Sequence, residues 1–260
     1  MRVENNEDQD SGVIEGRNAV IEALRAGLSI DKVFIAKGET DSTLSYIASA
    51  ARGSGAVVVE TDRRKLDSMS STRSHQGVIA QAACTEYATV GDVLDIARQR
   101  DEEPNIVLCD GITDPHNLGA IIRTCEAAGV HGVIIPKRRS AGLTATVAKT
   151  SSGAVYHMAI ARVTNLAAAI EQLKEAGVWV FEISADGKEP LWECDLTGAA
   201  AFIIGSEGAG ISRLVREKCD LSIRIPMYGK ISSLNASVSA ATVVYEAARQ
   251  RAARRGAARR

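Results

Sequence analysis

An asparagine and an arginine stand six residues apart at the point where a loop enters a predicted helix. The loop Asp110–Asn117 follows the apolar segment NIVLCD, and Arg123 lies two turns into the helix. A guanidinium group presents N–H donors in a planar fork that suits phosphate or a developing oxyanion. Asn117 is also a residue type that caps helices. Taken alone, this loop fits either a polar site or a capped helix that carries a surface arginine.

A glycine-rich turn, Gly205–Gly210, follows a second apolar segment, AFIIG. Its GxxGxG spacing differs from the GxGxxG fingerprint of dinucleotide-binding folds, and no acidic residue follows at the expected strand end. Glycines let a backbone approach a ligand closely. Glu207 in this turn disfavours a pyrophosphate and suits a hydroxyl-bearing or cationic ligand. A tight connection between strand and helix is the simpler interpretation of the turn by itself.

A third polar loop, Ile225–Val238, separates the last predicted strand from the last predicted helix. Gly229 loosens the loop, while Ser232 or Ser233 is positioned to cap the helix. Ser233 and Asn235 put small polar groups near the first helical turn, where unpaired N–H groups can face a ligand. Helix capping without any ligand explains the same residues.

Alternating strands and helices bring these three loops together. NIVLCD, a helix closed by Gly129 and then GVIIP form a crossover unit of about 30 residues, as in a βαβ motif. Polar loops at the carboxyl ends of parallel strands share one edge of the sheet, which is where ligands bind in open α/β folds. The predicted fold class is therefore α/β with a parallel sheet.

Composition shifts divide the chain into five predicted segments. These are a disordered arm (1–12), a small α/β unit (13–84), a linker with one short helix (85–103), the parallel-sheet domain (104–250) and a basic tail (251–260). In the last helix, residues recur in steps of four and three, which predicts a seam that faces a partner helix or the core. The seam comprises Leu234, Val238, Ala241, Tyr245 and Ala248.

Composition also excludes several functional classes. Aromatic residues make up only 4% of the chain, which argues against a stacking platform for single-stranded nucleic acid. The acidic N-terminus lacks a signal-peptide pattern and the longest apolar run is short, so we expect a cytoplasmic protein. Five scattered cysteines without a CxxC pair predict free thiols and no metal site. The sequence contains neither a GxSxG elbow nor a phosphate-binding GxxxxGK[ST] loop. It also lacks the GxGxxG fingerprint of nicotinamide-dependent dehydrogenases.

Charge is distributed unevenly. The net charge is −1, but six arginines without an acidic residue lie between Arg249 and Arg260, which leaves −7 for the rest. Nucleic-acid binding would therefore depend on local patches. The candidates are Arg63, Arg64 and Lys65, and Lys137, Arg138 and Arg139. The tail either binds RNA or is a solvated extension.

Together, the three loops resemble the three motifs of the SpoU (TrmH-like) RNA ribose methyltransferases. Asn117 and Arg123 match the first motif, the GxEG turn Gly205–Gly208 the second, and IPM-x-G-x-x-x-SLN, Ile225–Asn235, the third. The segments EGRNAVIEAL and SHQGVIA are similar to the ribosomal-protein-like substrate-binding domain of the family. The resemblance covers the chain from about Ile14 to Arg251.

The resemblance implies a SPOUT-type catalytic domain with a C-terminal trefoil knot, which pattern reasoning alone would not propose because knots are nearly absent from proteins. It also implies a homodimer that uses S-adenosyl-L-methionine to methylate a ribose 2′-hydroxyl of RNA. The motifs look most like those of members that modify a guanosine of large-subunit (23S) ribosomal RNA. Transfer RNA or a ribosomal adenosine is an alternative substrate, and a non-catalytic RNA-binding ribosome assembly factor is an alternative of another class.

Site residues carry over from the resemblance position by position. The catalytic set is Arg123, Asn117, Glu207, Ser233 and Asn235, and the cofactor-binding set is Gly205, Ile225, Leu234, Gly208, Met227 and Gly229, with no metal. In the family proposal, the arginine is the base that takes the hydroxyl proton. Because a guanidinium rarely releases its own proton, Arg123 is equally suited to clamp a phosphate and stabilise the alkoxide.

Overall fold

The computed structural model describes residues 12–39 and 41–258, so the predicted arm lies almost entirely outside the described residues. Two compact units make up this part of the chain. The first extends to Glu86 and includes the short segment Gly142–Ala145. The second comprises Tyr87–Ala141 and the described residues from Thr146 onward.

The first unit is a small α/β sheet structure. Its strands are β1 (Val13–Glu15), β2 (Ile30–Ala36), β3 (Val57–Thr61) and β4 (Val78–Ala82), and its helices are α1 (Arg17–Arg25), α2 (Ser42–Gly53) and α3 (Arg63–Met69). The sheet order is β1-β4-β2-β3, with β2 and β3 parallel and the other pairs antiparallel. Val33, Ile47 and Val78 are fully buried at its centre, as expected for the predicted α/β unit.

The second unit is built around a seven-stranded sheet. Its strands are β5 (Asn105–Asp110), β6 (Gly132–Pro136), β7 (Ile160–Val163), β8 (Trp179–Ile183), β9 (Glu189–Pro190), β10 (Ala200–Gly205) and β11 (Leu221–Arg224). The helices are α4 (Val90–Gln99), α5 (Pro115–Ala127), α6 (Ala145–Thr150), α7 (Leu166–Glu175), α8 (Arg213–Arg216) and α9 (Ala236–Ala258). The order β7-β6-β5-β10-β8-β11-β9 is parallel throughout, which confirms the predicted fold class.

Strand β5 and its neighbour β10 form the buried middle of this sheet. Residues 105–109 of β5 and 200–204 of β10 are all buried, because helices cover both faces of a parallel sheet. Residue pairing runs in register from Ala200 opposite Asn105 to Gly205 opposite Asp110. Asp110 and Gly205 therefore end two adjacent strands at the same sheet edge.

The predicted linker 85–103 is instead largely part of the second unit. Its helix α4 begins with a capping box in which Thr89 and Asp92 satisfy each other's backbone N–H groups. Val90, Val93 and Leu94 then pack into the core of the sheet. Polar residues at the end of α4 suggested a linker, but the apolar face of the helix determines where it packs.

The predicted basic tail is, as far as Ala258, a continuation of helix α9 rather than a solvated extension. Arg251 is buried and donates hydrogen bonds to the carbonyl oxygens of Glu103 at 2.7 Å and Leu196 at 3.2 Å. The predicted seam does not face the core, because Val238 and Tyr245 are 47% and 53% exposed. The core side of α9 is the opposite face, where Val243, Val244 and Ala247 are buried.

Within the described residues, no helix is both long and apolar enough to cross a membrane.

Candidate active site

The three polar loops meet at a cleft beyond the carboxyl ends of the central strands. Ile183 ends β8, Gly205 ends β10 and Ile225 follows β11, and all three line this cleft. Its volume of about 460 Å³ lies in the range of small-molecule sites. The parallel register of the sheet therefore brings together loops that are far apart in the chain.

A hydrogen-bonded network at the cleft joins one residue from each loop. Asn117 Nδ2 donates to Glu207 Oε1 at 3.0 Å, and Asn235 Nδ2 donates to the same oxygen at 2.5 Å. Asn235 Nδ2 also donates to Asn117 Oδ1 at 3.0 Å. The Glu207 carboxylate is thus held on one oxygen by two amides, while its Oε2 makes no hydrogen bond within the described part of the chain.

Asn235 also caps helix α9, a role that the sequence had suggested for Ser232 or Ser233. Its Oδ1 accepts hydrogen bonds from the backbone N–H of Ser237 at 2.9 Å and from the Ser237 hydroxyl at 2.6 Å. Helix α5 is likewise capped by Asp114, whose Oδ1 accepts from the His116 N–H at 2.9 Å, and not by Asn117. Asn117 lies inside the first turn, so its amide is available for the network.

The glycine turn is shaped by close backbone contacts. Ser206 and Gly210 exchange backbone hydrogen bonds of 3.2 and 2.9 Å across the turn. A Cβ atom on Gly205 would lie 2.5 Å from the carbonyl carbon of Gly210, so no other residue fits without a shift of the backbone. Gly208 has a φ of +92°, a conformation that favours glycine. The simpler interpretation as a tight turn is correct, and this turn also forms part of the cleft wall.

Five of the six predicted cofactor residues line the cleft. They are Gly205, Gly208, Ile225, Met227 and Leu234. Gly229 does not line it and has no atom within 4 Å of a Cβ built on it. Backbone groups alternate here with aliphatic side chains, a lining that suits a ligand with both apolar and hydrogen-bonding parts.

Ser233 and Arg123 stand apart from the network. Ser233 lines the cleft but is exposed. The side chain of Arg123 is exposed on α5, does not line the cleft, and makes no hydrogen bond or ion pair among the described residues. The structure therefore brings together three of the five predicted catalytic residues, places Ser233 beside them and leaves the guanidinium of Arg123 free.

Sequence reasoning did not identify every residue of the cleft. Ile183, Ser184 and Ala185 line it from the end of β8, and Asp110 supports the glycine turn because its Oδ2 accepts a 2.7 Å hydrogen bond from the Ser212 N–H. The rule that ligands bind beyond strand carboxyl ends would have indicated Ser184, which directly follows VWVFEI. The polar loop that contains Ser184 carries no glycine pattern, so no sequence motif indicated this residue.

No group of three or more histidine, cysteine, aspartate or glutamate residues in the described ranges could hold a metal ion.

Comparisons with known proteins match this chain along most of its length. A model of the SpoU rRNA methylase family matches residues 104–245, and a model of the substrate-binding domain of RNA 2′-O-ribose methyltransferases matches residues 13–88. A Bacillus subtilis (strain 168) protein, named as a TrmH-family tRNA/rRNA methyltransferase, is 44% identical over 94% of this chain and 97% of its own.

Two solved structures show the same architecture. The SpoU methyltransferase AviRb of Streptomyces viridochromogenes, in complex with S-adenosylmethionine, superposes with a TM-score of 0.58 at 25% identity, over 96% of this chain and 95% of that one. The TrmH/SpoU tRNA-modifying enzyme of A. aeolicus gives a TM-score of 0.53 at 28% identity, over 64% of this chain and 85% of its own.

Proposed function

Because this chain belongs to the SpoU rRNA methylase family, we propose that it methylates the ribose 2′-hydroxyl of a guanosine in large-subunit ribosomal RNA. It is an RNA 2′-O-ribose methyltransferase that uses S-adenosylmethionine, as the sequence motifs predicted. The observation that carries the proposed site is the network in which Asn117, Glu207 and Asn235 join all three motif loops beside one cleft.

The cleft fits this cofactor. Gly205 lines the cleft and lets the backbone of Gly210 pack directly against the end of β10, which fixes the glycine turn that forms one wall of the cleft. Ile225 and Leu234 supply apolar walls for an adenine ring, and the backbone of the same loops supplies hydrogen-bonding groups. The cofactor supplies an electrophilic methyl group on a sulfonium. The residues around the cleft must therefore make the ribose oxygen nucleophilic and align it.

In the proposed mechanism, Glu207 and the two asparagines position the ribose. Glu207 Oε2, which makes no hydrogen bond within the described chain, is available to accept from a ribose hydroxyl. Arg123 stabilises the negative charge that develops on the 2′-oxygen and clamps the adjacent phosphate. Its exposed, unpaired guanidinium is suited to that role, because all five of its N–H donors are available. The 2′-hydroxyl proton leaves to phosphate or water.

The front unit favours ribosomal RNA over transfer RNA. The relative from B. subtilis, whose name covers both tRNA and rRNA, matches both units, whereas the A. aeolicus tRNA-modifying enzyme matches only 64% of this chain. A substrate-binding domain beyond the catalytic unit fits a target that lies within a large folded RNA. The assignment of the methylated nucleotide as a guanosine rests on the resemblance of the first motif loop alone.

Local cationic patches would hold the RNA backbone. Lys137, Arg138 and Arg139 follow β6 at the same sheet edge as the cleft. Burial and the neighbouring charges of Arg162 and Arg138 lower the pKa of Lys137. The local potential is therefore positive, and a bound phosphate would reduce the repulsion between these cations. In the front unit, Arg64 and Lys65 are exposed, whereas Arg63 is paired with Glu39 at 2.6 Å. Phosphate contacts of this kind position the RNA without reading its sequence.

Two further properties are proposed from the family. The homodimer would bury the exposed side of α9 around Val238 and Tyr245, which are large apolar residues left uncovered in the single chain. The trefoil knot would pass the C-terminal segment through the chain near Gly187, where the backbone of Ile223 and Arg224 leaves no room for a Cβ. Sedimentation velocity of wild type and Tyr245→Glu tests the dimer, and a monomeric wild type would refute it.

The experiment that tests the function uses purified protein, radiolabelled S-adenosylmethionine, and unmodified large-subunit ribosomal RNA and transfer RNA in parallel. A methylated 2′-oxygen cannot attack the adjacent phosphate, so alkali-resistant positions map the product. We expect label at one guanosine of the ribosomal RNA. Label at an adenosine or only in transfer RNA would preserve the chemistry and overturn the substrate. No transfer, together with intact RNA binding, would favour the assembly factor.

Arginine variants test the mechanism. We expect Arg123→Ala to lower kcat by about 100-fold or more, the scale of a lost donor to a developing oxyanion. Arg123→Lys should recover part of that rate, because a lysine keeps the charge and loses the planar fork. Near-normal turnover of Arg123→Ala would remove this residue from the reaction, whether as base or as clamp.

A further inference from the structure

A second pocket lies at the opposite edge of the large sheet from the cofactor cleft. It is lined in part by Arg100, Glu102, Asn105, Arg251 and Arg255, and its volume is about 500 Å³. Asn105 is the first residue of β5, whereas Asp110, at the other end, supports the glycine turn of the cleft. A strand of this length spans roughly 17 Å, so the two cavities are separate sites.

The pocket carries excess positive charge. Its lining includes three guanidinium groups and one carboxylate, a formal charge of +2, which the Glu103 carboxylate close to Arg251 reduces to +1. Arg251 is 9% exposed and donates to the carbonyl oxygens of Glu103, Leu196, Pro104 and Gly198, which are neutral partners. The exposed side chain of Arg100 makes no hydrogen bond or ion pair among the described residues. An anionic ligand would supply the missing countercharge.

The only carboxylate in this lining is already engaged on both oxygens. Arg255 contacts Glu102 Oε1 at 2.8 Å, and His131 Nε2 lies 3.1 Å from Glu102 Oε2. His131 Nδ1 accepts the N–H of Asn105 at 2.9 Å, so the ring proton is on Nε2 and points to Glu102. Burial lowers the pKa of His131, which favours the neutral ring. Glu102 is thereby fixed at the rim of the site.

A buried acceptor in the same pocket is without a partner. Asn105 is 2% exposed, and its Oδ1 makes no hydrogen bond within the described chain. Buried polar atoms are normally paired, but this oxygen has almost no accessible surface, so a ligand hydroxyl or amino group would reach it only after the Asn105 side chain turns toward the pocket. A complementary ligand therefore combines an anionic group with a hydrogen-bond donor, within a volume typical of small-molecule sites.

We propose that this pocket is a second binding site, specific for a phosphorylated ribonucleoside. The phosphate binds Arg100 and Arg255, with the remaining N–H of Arg251 behind them, and a ribose hydroxyl or base amino group donates to Asn105. The same chemistry is offered by a nucleotide within an RNA chain and by a free nucleotide. The site does not depend on methyl transfer, so its test stands apart from that of the proposed activity.

The test is calorimetric titration of the full chain with uridine monophosphate and, separately, with an eight-residue oligouridylate. Saturating S-adenosylhomocysteine is present throughout to occupy the cofactor cleft. The test protein is Arg100→Gln combined with Arg255→Gln. Arg98→Gln is the matched control, because it removes an exposed arginine of α4 that lies two residues before Arg100 and outside the pocket. Far-UV circular dichroism and Tm show that each variant is folded.

We expect the double variant to weaken uridine monophosphate binding about tenfold or more, the scale of lost charge-assisted hydrogen bonds, and Arg98→Gln to leave it unchanged. Weakening of the oligouridylate alone identifies the ligand as a segment of RNA, and weakening of the mononucleotide alone identifies a free nucleotide. Equal affinities of wild type and double variant for both probes would overturn the proposal. Inorganic phosphate that binds as tightly as uridine monophosphate would reduce the site to one for simple anions and refute its specificity for nucleosides.

Discussion

Asn235 donates a hydrogen bond of 3.0 Å to Asn117, a residue 118 positions earlier in the chain. Asn235 also donates to Glu207 and caps helix α9, so one side chain connects the last helix to both earlier loops. We expect Asn235→Ala to lower kcat by about 100-fold, because misplacement of a positioning group by about 1 Å has an effect of that size. Loss of the cap should lower the free energy of unfolding by about 1 kcal/mol.

The matched control for this prediction is Asn165→Ala. Asn165 caps α7, where its Oδ1 accepts the N–H of Ala167 at 2.9 Å, and it lies outside the cleft. Chemical denaturation and single-turnover methyl transfer are measured on both variants. Comparable losses of stability with unequal losses of rate would establish the positioning role, whereas comparable losses of rate would show that activity simply follows stability.

Gly205→Ala should abolish tight cofactor binding. The new Cβ would meet Gly210 at 2.5 Å and push the glycine turn out of its place in the cleft wall. We expect the Kd for S-adenosylmethionine to rise by about 100-fold, the same scale as the effect of a misplacement of about 1 Å on a reaction rate. Gly229→Ala is the control, because its Cβ would meet nothing within 4 Å. If Gly229→Ala weakens binding as much as Gly205→Ala, then the loop after Met227 contacts the cofactor, and the conclusion that Gly229 lies outside the cofactor site is wrong.

Glu15 should make the front unit sensitive to acid. Burial raises the pKa of its carboxyl, but hydrogen bonds from Ser70, Ser71 and Thr72 outweigh that effect and lower the pKa to about 2. A carboxyl with a lowered pKa stabilises the folded state at neutral pH, and this contribution is lost as the pH falls from about 4.5 towards 2.

Glu15→Gln tests this contribution. At pH 7, the free energy of unfolding of the variant should be about 1–3 kcal/mol lower than that of wild type. This difference should shrink below pH 4.5. Denaturation of wild type, Glu15→Gln and the exposed control Glu60→Gln at several pH values measures it. A constant difference between wild type and Glu15→Gln across the acid range would show that the charge of Glu15 does not contribute.

Exposed basic residues should set the salt dependence of RNA binding. Arg64 and Lys65 are exposed and make no ion pair within the described chain, so each is available to a phosphate. Replacing both with glutamine should reduce the slope of log K against log salt concentration by about 1.5, because each phosphate contact contributes roughly 0.7–0.9. Arg25→Gln, an exposed arginine paired with Glu22, is the control. An unchanged slope in the double variant would assign Arg64 and Lys65 to solvated surface.

Secondary structure in the second unit was largely predictable, because local patterns there agree with the tertiary environment. The segments NIVLCD and GVIIP coincide with β5 and β6, since strands buried on both faces are continuously apolar. The two-residue strand β9 and the short β7 were not predicted, because neither has enough residues for a period to emerge. Helix α4 was predicted correctly as an element and placed wrongly in a linker.

The candidate site was predictable as a set of residues, and its geometry was not. The resemblance to the family motifs identified Asn117, Glu207 and Asn235. Residue types near the helix starts, however, assigned the caps to Asn117 and to Ser232 or Ser233, which do not cap these helices. Asp114 and Asn235 are the caps, since the side chain directly before the first turn is the one within reach of its N–H groups. In α5 three residues separate the cap Asp114 from the network residue Asn117, whereas in α9 the single residue Asn235 has both roles.

The sequence by itself determined the α/β class, the parallel strands and the polar loops that end them, because hydrophobic period and turn chemistry are local properties. The tertiary structure decided which loop residues share a carboxylate, which face of α9 is buried, and that Arg251 is internal. Those outcomes depend on the register between β5 and β10 and on packing between residues more than a hundred positions apart. No local pattern contains that information, since the free energy that selects these contacts comes from groups that meet only when the sheet has formed.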